Sequence, residues 1–271
     1  MTAKEAITTA APEKAEWGLL KPLTDTFEWF GELGAFCVRV ARAALTPPYE
    51  GKELLRQMDE IGAKSLPLVA LAGGAIGVVL SLQTRDSLVR FGAKAFLPIV
   101  IVMSIIKESG PIITALVMSG RIGAGIGAEL GSMKVTEQID AIEASAVNPH
   151  KFLVVTRILA CMLMLPLLTV VADFCGIMTG WFANAMVEQT PLQLFLNNGF
   201  EGVGFDDLFP SLFKAVVFGF IIGLLGCFQG MRASGGTAGV GRASTSAVVL
   251  ASLFVILADV VLVRLILMFF P

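Results

Sequence analysis

The chain has 271 residues, 55% hydrophobic and 15% charged, with a mean hydropathy of +0.79 and a net charge of −2. A soluble domain has roughly 45–50% apolar and about 25% charged residues, so this composition excludes an ordinary soluble globule and points to a chain that lives in lipid. The near-neutral charge gives no reason to expect nucleic acid. The four cysteines Cys37, Cys161, Cys175 and Cys227 form no CxxC pair, which argues against a zinc site or a disulfide framework.

In chain order, the first residues are rich in Ala, Thr and Glu and lack the succession of a secretory signal. Residues 1–23 are expected to be a disordered tail. Over residues 24–45, Phe27, Phe30, Leu33, Phe36, Val40 and Ala44 recur at helical spacing, with Glu28, Glu32, Arg39 and Arg42 between them. The pattern predicts an amphipathic helix lying in the headgroup region; it also suits an ordinary helix packed on the spans. Thr46-Pro47-Pro48 ends it, so residues 24–62 are read as an interfacial helix and linker.

Residues 63–271 form the spanning domain. A crossing helix needs about 20 mostly apolar residues. Five stretches qualify: 65–84, 96–118, 158–181, 212–231 and 247–270. Gly73 and Gly77, Gly219 and Gly223, and Gly226 and Gly230 each have the four-residue spacing that lets helix backbones approach in lipid, which serves packing or dimerisation alike.

Loop charge orients the spans. From Ile158 to Phe213 there is no Lys or Arg, while Glu188, Glu201, Asp206 and Asp207 are present, so that connection is expected outside. The 119–157 loop, with Arg121, Lys134, Lys151 and Arg157, is expected inside, as are Arg232 and Arg242 and the basic N-terminal segment. Arg85, Arg90 and Lys94 dissent, since this topology puts them outside.

No G-x-x-x-x-G-K-[ST] occurs, so no phosphate-binding loop is encoded here, and the Gly-rich runs 123–131 and 235–241 lack the dinucleotide pattern. The lone His150 has no second His near it and no G-x-S-x-G occurs, so neither a metal site nor a catalytic set is indicated. Within the 119–157 loop, Thr136 suits an N-cap with Glu137 favourable in the first turn, and Asn148-Pro149 suits a stop. The short amphipathic helix so predicted could dock on a partner or be a solvated surface helix. Inside the spans, Lys107, Glu108, Asp173, Lys214, Asp259 and Arg264 are ionisable, and such residues face a cavity or a partner. Lys107 points about 100° from Glu108 and is a poor partner for it. Lys214 and Asp259 are therefore the expected companions of Glu108, in an outward-opening cavity. Structural ion pairing is the alternative.

Several ordered motifs carry a family resemblance. Phe91-Gly92-Ala93 precedes Lys107-Glu108-Ser109-Gly110-Pro111, Thr114-Ala115-Leu116 and Gly120-Arg121. The unbroken stretch from Ala128-Glu129-Leu130-Gly131 to Glu137-Gln138-Ile139-Asp140-Ala141 follows, then Asn148-Pro149, Pro166-Leu167-Leu168, Lys214 to Phe218 and Gly239 to Ala243. From about residue 65 onward the chain resembles the MlaE/YrbE-type permeases of Mce-associated lipid ABC transporters.

The resemblance implies an all-α integral membrane protein of the bacterial inner membrane. It implies a homodimer working with a cytoplasmic ABC ATPase and a periplasmic Mce-domain protein to move phospholipid or another hydrophobic molecule. ATP and Mg would be bound by the ATPase and no cofactor by this chain. The stretch holding Glu129, Lys134, Thr136, Glu137, Gln138, Asp140 and Glu143 corresponds to the family's cytoplasmic coupling helix. Glu108, and by position Lys107, Lys214 and Asp259, correspond to charged residues around its lipid cavity. One departure is Lys107, where the family usually has Arg: a point charge replaces a planar fork. An ion- or proton-coupled secondary transporter is the alternative that explains the intramembrane carboxylates without an ATPase; a membrane-embedded lipid enzyme comes third.

Overall fold

The computed structural model describes residues 21–47 and 50–269, and no strand occurs among the described residues. The expected tail over 1–23 lies outside them as far as residue 20, and residues 21–23 open helix α1 (Lys21–Leu45). There follow α2 (Gly51–Ile61), α3 (Leu66–Arg90), α4 (Leu97–Ser104), α5 (Gly110–Met118), α6 (Ala124–Val135) and α7 (Gln138–Ala144). The series ends with α8 (Thr156–Glu188), α9 (Leu192–Phe200), α10 (Phe205–Met231) and α11 (Gly236–Phe269). π-Helical turns at Ile105–Ser109 and Ser119–Gly123 join α4, α5 and α6 into one rod, and a third at His150–Val155 opens α8.

Five continuous helical stretches are long and apolar enough to cross a membrane: Gly51–Arg90, Lys94–Val135, His150–Glu188, Phe205–Met231 and Gly236–Met268. They contain the five expected spans as far as the residues are described, but several run well past them. The expected 119–157 loop is largely helix: α6 prolongs the second span to Val135, and the third begins at His150. Likewise α2 fills the expected linker. Hydropathy ends a span where charge begins, yet the i→i−4 hydrogen-bond ladder needs no lipid and runs on into polar surroundings.

Helix α8 is the hub, packed against α3, α10, α2 and α5, while α10 packs on α6 and α11. Glycines set the closest crossings. A Cβ on Gly73 would lie 2.7 Å from the Ala172 Cα, and one on Gly77 would run into the Gly176 backbone, so α3 and α8 touch main chain to main chain. A Cβ on Gly219 would meet the Cys161 carbonyl at 2.6 Å, and one on Gly230 the Leu130 Cβ at 2.7 Å. All three sequence-spaced glycine pairs thus face neighbours within the same chain, where small residues let dispersion and interhelical polar contacts act. Thr179 Oγ1 reinforces the α3–α8 crossing by donating to the Gly74 carbonyl at 2.7 Å.

Helix α1 packs on the bundle through Phe36, Val40 and Ala43, with Trp29 edge-on to Phe228 at 5.7 Å between ring centroids. Phe27 and Phe30, expected on the same apolar face, are exposed at 72% and 51%. The C-terminal half of the stripe is the more deeply buried because α1 packs there on the 150–155 turn and the end of α10, whereas Trp29 and Phe30 reach Phe254 and Phe228 from the edge of the bundle.

Candidate functional site

Lys214 is the centre of the polar site. Its side chain, 2% exposed, rises from α10, whose residues Ala215, Phe218 and Ile222 are fully buried in the bundle. The ammonium donates to Glu108 Oε2 at 2.8 Å and to the Lys107 carbonyl at 3.1 Å, and lies 3.3 Å from Asp259 Oδ1 on α11. Two of the ammonium's three donors are thus used in hydrogen bonds, while Asp259 Oδ1 accepts none and is held as an ion pair.

Local sequence explains the carbonyl. Four residues beyond Lys107 stands Pro111, which has no N–H for the helical ladder and would crowd the carbonyl in a regular α-helix. The backbone widens into the π-turn Ile105–Ser109, a device frequent at functional sites, and Lys214 accepts the role of donor to Lys107.

The structure therefore brings Glu108, Lys214 and Asp259 together, from α10, α11 and the turn between α4 and α5. The Lys107 side chain goes elsewhere: its Nζ lies 2.6 Å from Asp207 Oδ1, in the first turn of α10. Sequence reasoning missed this partner because Asp207 read only as part of an acidic connection. Its signal was position, at the mouth of a span whose next charge is Lys214. A single contact of this kind suits the point charge of Lys in place of a fork.

Glu108 is 48% exposed on its side chain and Asp259 13%. The open side of Glu108 gives onto a cavity of 520 Å³ lined by Lys107, Asp206, Asp207, Ser211 and Lys214, with Val263, Ile266 and Leu267 of α11 as its apolar wall. Asp173, by contrast, lies on α8 under Gly110 with no hydrogen-bond partner for Oδ1 and takes no part in the cluster, while Arg264 is exposed.

The second candidate region sits at the opposite end of the bundle. The predicted helix after Thr136 starts two residues later. Thr136 is not its N-cap: it closes α6, its Oγ1 donating to the Ser132 carbonyl at 2.8 Å. Glu137 takes the left-handed conformation, φ 60°, and turns the chain into α7. α7 anchors itself by Ile139, 3% exposed, and the half-buried Ile142, and leaves Gln138, Asp140 and Glu143 in solvent. Lys134 holds the angle between α6 and α7 through Asp140 at 2.9 Å. The helix ends at Ala144, short of Asn148-Pro149, and Asn148 instead caps the next stretch, Oδ1 accepting from the His150 amide at 3.0 Å. Glu129 does not join the α7 surface: it pairs at 2.9 Å with Arg157, whose side chain is 2% exposed. That buried arginine was read as loop charge, since nothing in sequence separates it from Lys151.

The dissenting cations are accounted for in part. Arg85 and Lys94 each lie 3.2 Å from Glu188 at the end of α8, so two of the three cations at this end share one carboxylate.

The family described as Permease MlaE matches residues 54–265. A probable ABC transporter permease protein of Rickettsia typhi is 35% identical over 235 residues, covering 87% of this chain and 91% of that protein. One from Synechocystis is 35% identical over 208 residues, 77% of this chain and 79% of that protein. One from the alga Porphyra purpurea is 34% identical over 196 residues, 72% and 74% of the two chains.

Proposed function

The chain belongs to the MlaE permease family, and from that premise we propose that it moves phospholipid between the bacterial inner membrane and a periplasmic Mce-domain protein, driven by a separate ABC ATPase. It is a multi-pass membrane protein and an ABC-type permease subunit. The finer reading rests on one observation above all: a cavity with a charged, hydrogen-bonding head around Lys214 and Glu108 and an apolar wall on α11. That division matches an amphiphile, whose headgroup needs polar contacts and whose chains do not.

Two features support the partners. Helix α7 offers a short polar face carrying Gln138, Asp140 and Glu143 at the end where Lys134, Lys151 and Arg232 gather, the cytoplasmic end by loop charge. An ATPase binding ATP and Mg would dock there, with Thr136 and Glu137 setting the angle of α7. Helix α11 leaves Val249, Leu253, Ile256 and Val260 uncovered, a face that a second copy of the chain would take.

The test is reconstitution of the full-length chain with an ABC ATPase and an Mce-domain protein from the same organism. ATP-dependent delivery of labelled phospholipid between vesicle and Mce-domain protein is expected. Replacing Glu137, Gln138 and Asp140 together by Ala should abolish co-purification of the ATPase while the variant stays monodisperse. Retained binding and ATPase stimulation in that variant would remove α7 from the coupling role, and lipid delivery indifferent to ATP would overturn the transport reading.

A further inference from the structure

Which hydrogen-bonding capacity the cavity still has to offer follows from its own pairing. Both cations are already ion-paired: Lys214 donates to Glu108 and the Lys107 carbonyl and lies 3.3 Å from Asp259, and Lys107 pairs with Asp207. Arg264, the next cation along α11, is exposed and does not line the cavity. The carboxylates outnumber these cations. Glu108 keeps its second carboxylate oxygen, and Asp206 lines the cavity with no ion pair among the described residues. Two lysines stand among the four carboxylates Glu108, Asp206, Asp207 and Asp259, so the cluster carries a net negative charge.

An independent feature points to an occupant. Ser211, one turn before Lys214, is 1% exposed, lines the cavity, and its Oγ has no hydrogen-bond partner. A buried hydroxyl without a partner costs free energy unless something enters to meet it.

An anionic headgroup would meet only cations already paired with carboxylates and would face the carboxylates left in excess. A headgroup with a primary ammonium would find acceptors on Glu108 and Asp206, and Ser211 Oγ could donate to its phosphate. No aromatic residue lines the cavity, so the cation–π cage that suits a quaternary ammonium is absent from the described lining. We propose that the cavity selects lipids bearing a primary ammonium headgroup, of the phosphatidylethanolamine class, over lipids whose headgroup is purely anionic. This rests on the reading of the cavity as a lipid site.

The experiment places a photo-crosslinking residue at Ile266, on the apolar wall, or at Leu71, 73% exposed on α3, as a bulk-lipid control. The full-length protein is reconstituted in vesicles of equal parts phosphatidylethanolamine, phosphatidylcholine and phosphatidylglycerol, irradiated, and the trapped lipid identified by mass spectrometry. At Ile266 the ethanolamine lipid should exceed the glycerol lipid by about tenfold relative to Leu71, equivalent to ~1.4 kcal/mol. Asp206→Asn, an exposed change that leaves the Lys214 cluster intact, should cut that ratio several-fold, and Glu108→Gln should cut it further. A ratio at Ile266 equal to that at Leu71 would overturn the selection while leaving the lipid site in place. Equal trapping of choline and ethanolamine lipids would overturn the primary-amine assignment. Trapping of no lipid at Ile266 while Leu71 traps it would overturn the lipid-cavity reading itself.

Discussion

Lys214→Met removes the ammonium but keeps a side chain of similar length in the α10 packing, so its effect reports the charge cluster. The three oxygens lose the ammonium unequally. Glu108 is 48% exposed and rehydrates within the cavity, at a cost of under ~1 kcal/mol. The Lys107 carbonyl loses a charged donor and has only Pro111 at the i+4 position, for about 1–3 kcal/mol. Asp259, 13% exposed, is left as a largely buried carboxylate without its cation, a situation that costs about 3–5 kcal/mol, part of which is returned because the ammonium no longer needs desolvation. A net loss of about 3 kcal/mol is expected, or roughly 6–12 °C in melting temperature at ~2–4 °C per kcal/mol. The assay is thermal unfolding of detergent-solubilised protein followed by tryptophan fluorescence. Adding Asp259→Asn should recover about half of the loss, and adding Glu108→Gln very little. A single variant as stable as wild type, or equal rescue by Glu108→Gln and Asp259→Asn, would refute the ranking by burial.

Pro111→Ala in the Lys214→Met background should raise the melting point, because the new amide can donate to the Lys107 carbonyl that the methionine abandons; strictly additive shifts in the double variant would remove Pro111 from this role. Gly77→Ala should cost at least ~1–3 kcal/mol, since its methyl meets the Gly176 backbone rather than a side chain that can swing away, while Gly120→Ala, with nothing within 4 Å, should be neutral by the same melting assay. Single cysteines at Glu201 and Lys134, in a background without the native four, should react with an impermeant thiol reagent in intact cells at Glu201 only. Labelling at Lys134 alone would invert the topology.

The membrane character, the count of spans and the family were legible in the sequence because each rests on local signal: apolar runs long enough to cross lipid, and contiguous motifs such as Lys107 to Pro111 and Glu129 to Ala141. The candidate companions Glu108, Lys214 and Asp259 were also within reach, since a charge in an apolar run demands a partner and few are available. Helix ends were not legible, because hydropathy reports lipid contact rather than hydrogen bonding, which is why α6 and α7 replace much of an expected loop and Thr136 closes one helix instead of opening the next.

What only the tertiary structure decided is pairing across helices. Lys107 meets Asp207 and not Glu108 because the start of α10 is brought beside the 105–109 turn, a juxtaposition separated by 100 positions in the chain. Arg157 faces Glu129 and the Leu153 carbonyl inside the bundle, whereas Lys151 reaches the Thr46 carbonyl near the surface. The glycine pairs serve contacts within the chain because α3, α8, α10 and α6 stack against one another there. Sequence shows which residues are too costly to leave alone in lipid; the angle at which helices cross determines which groups relieve them, and that angle belongs to the packed bundle.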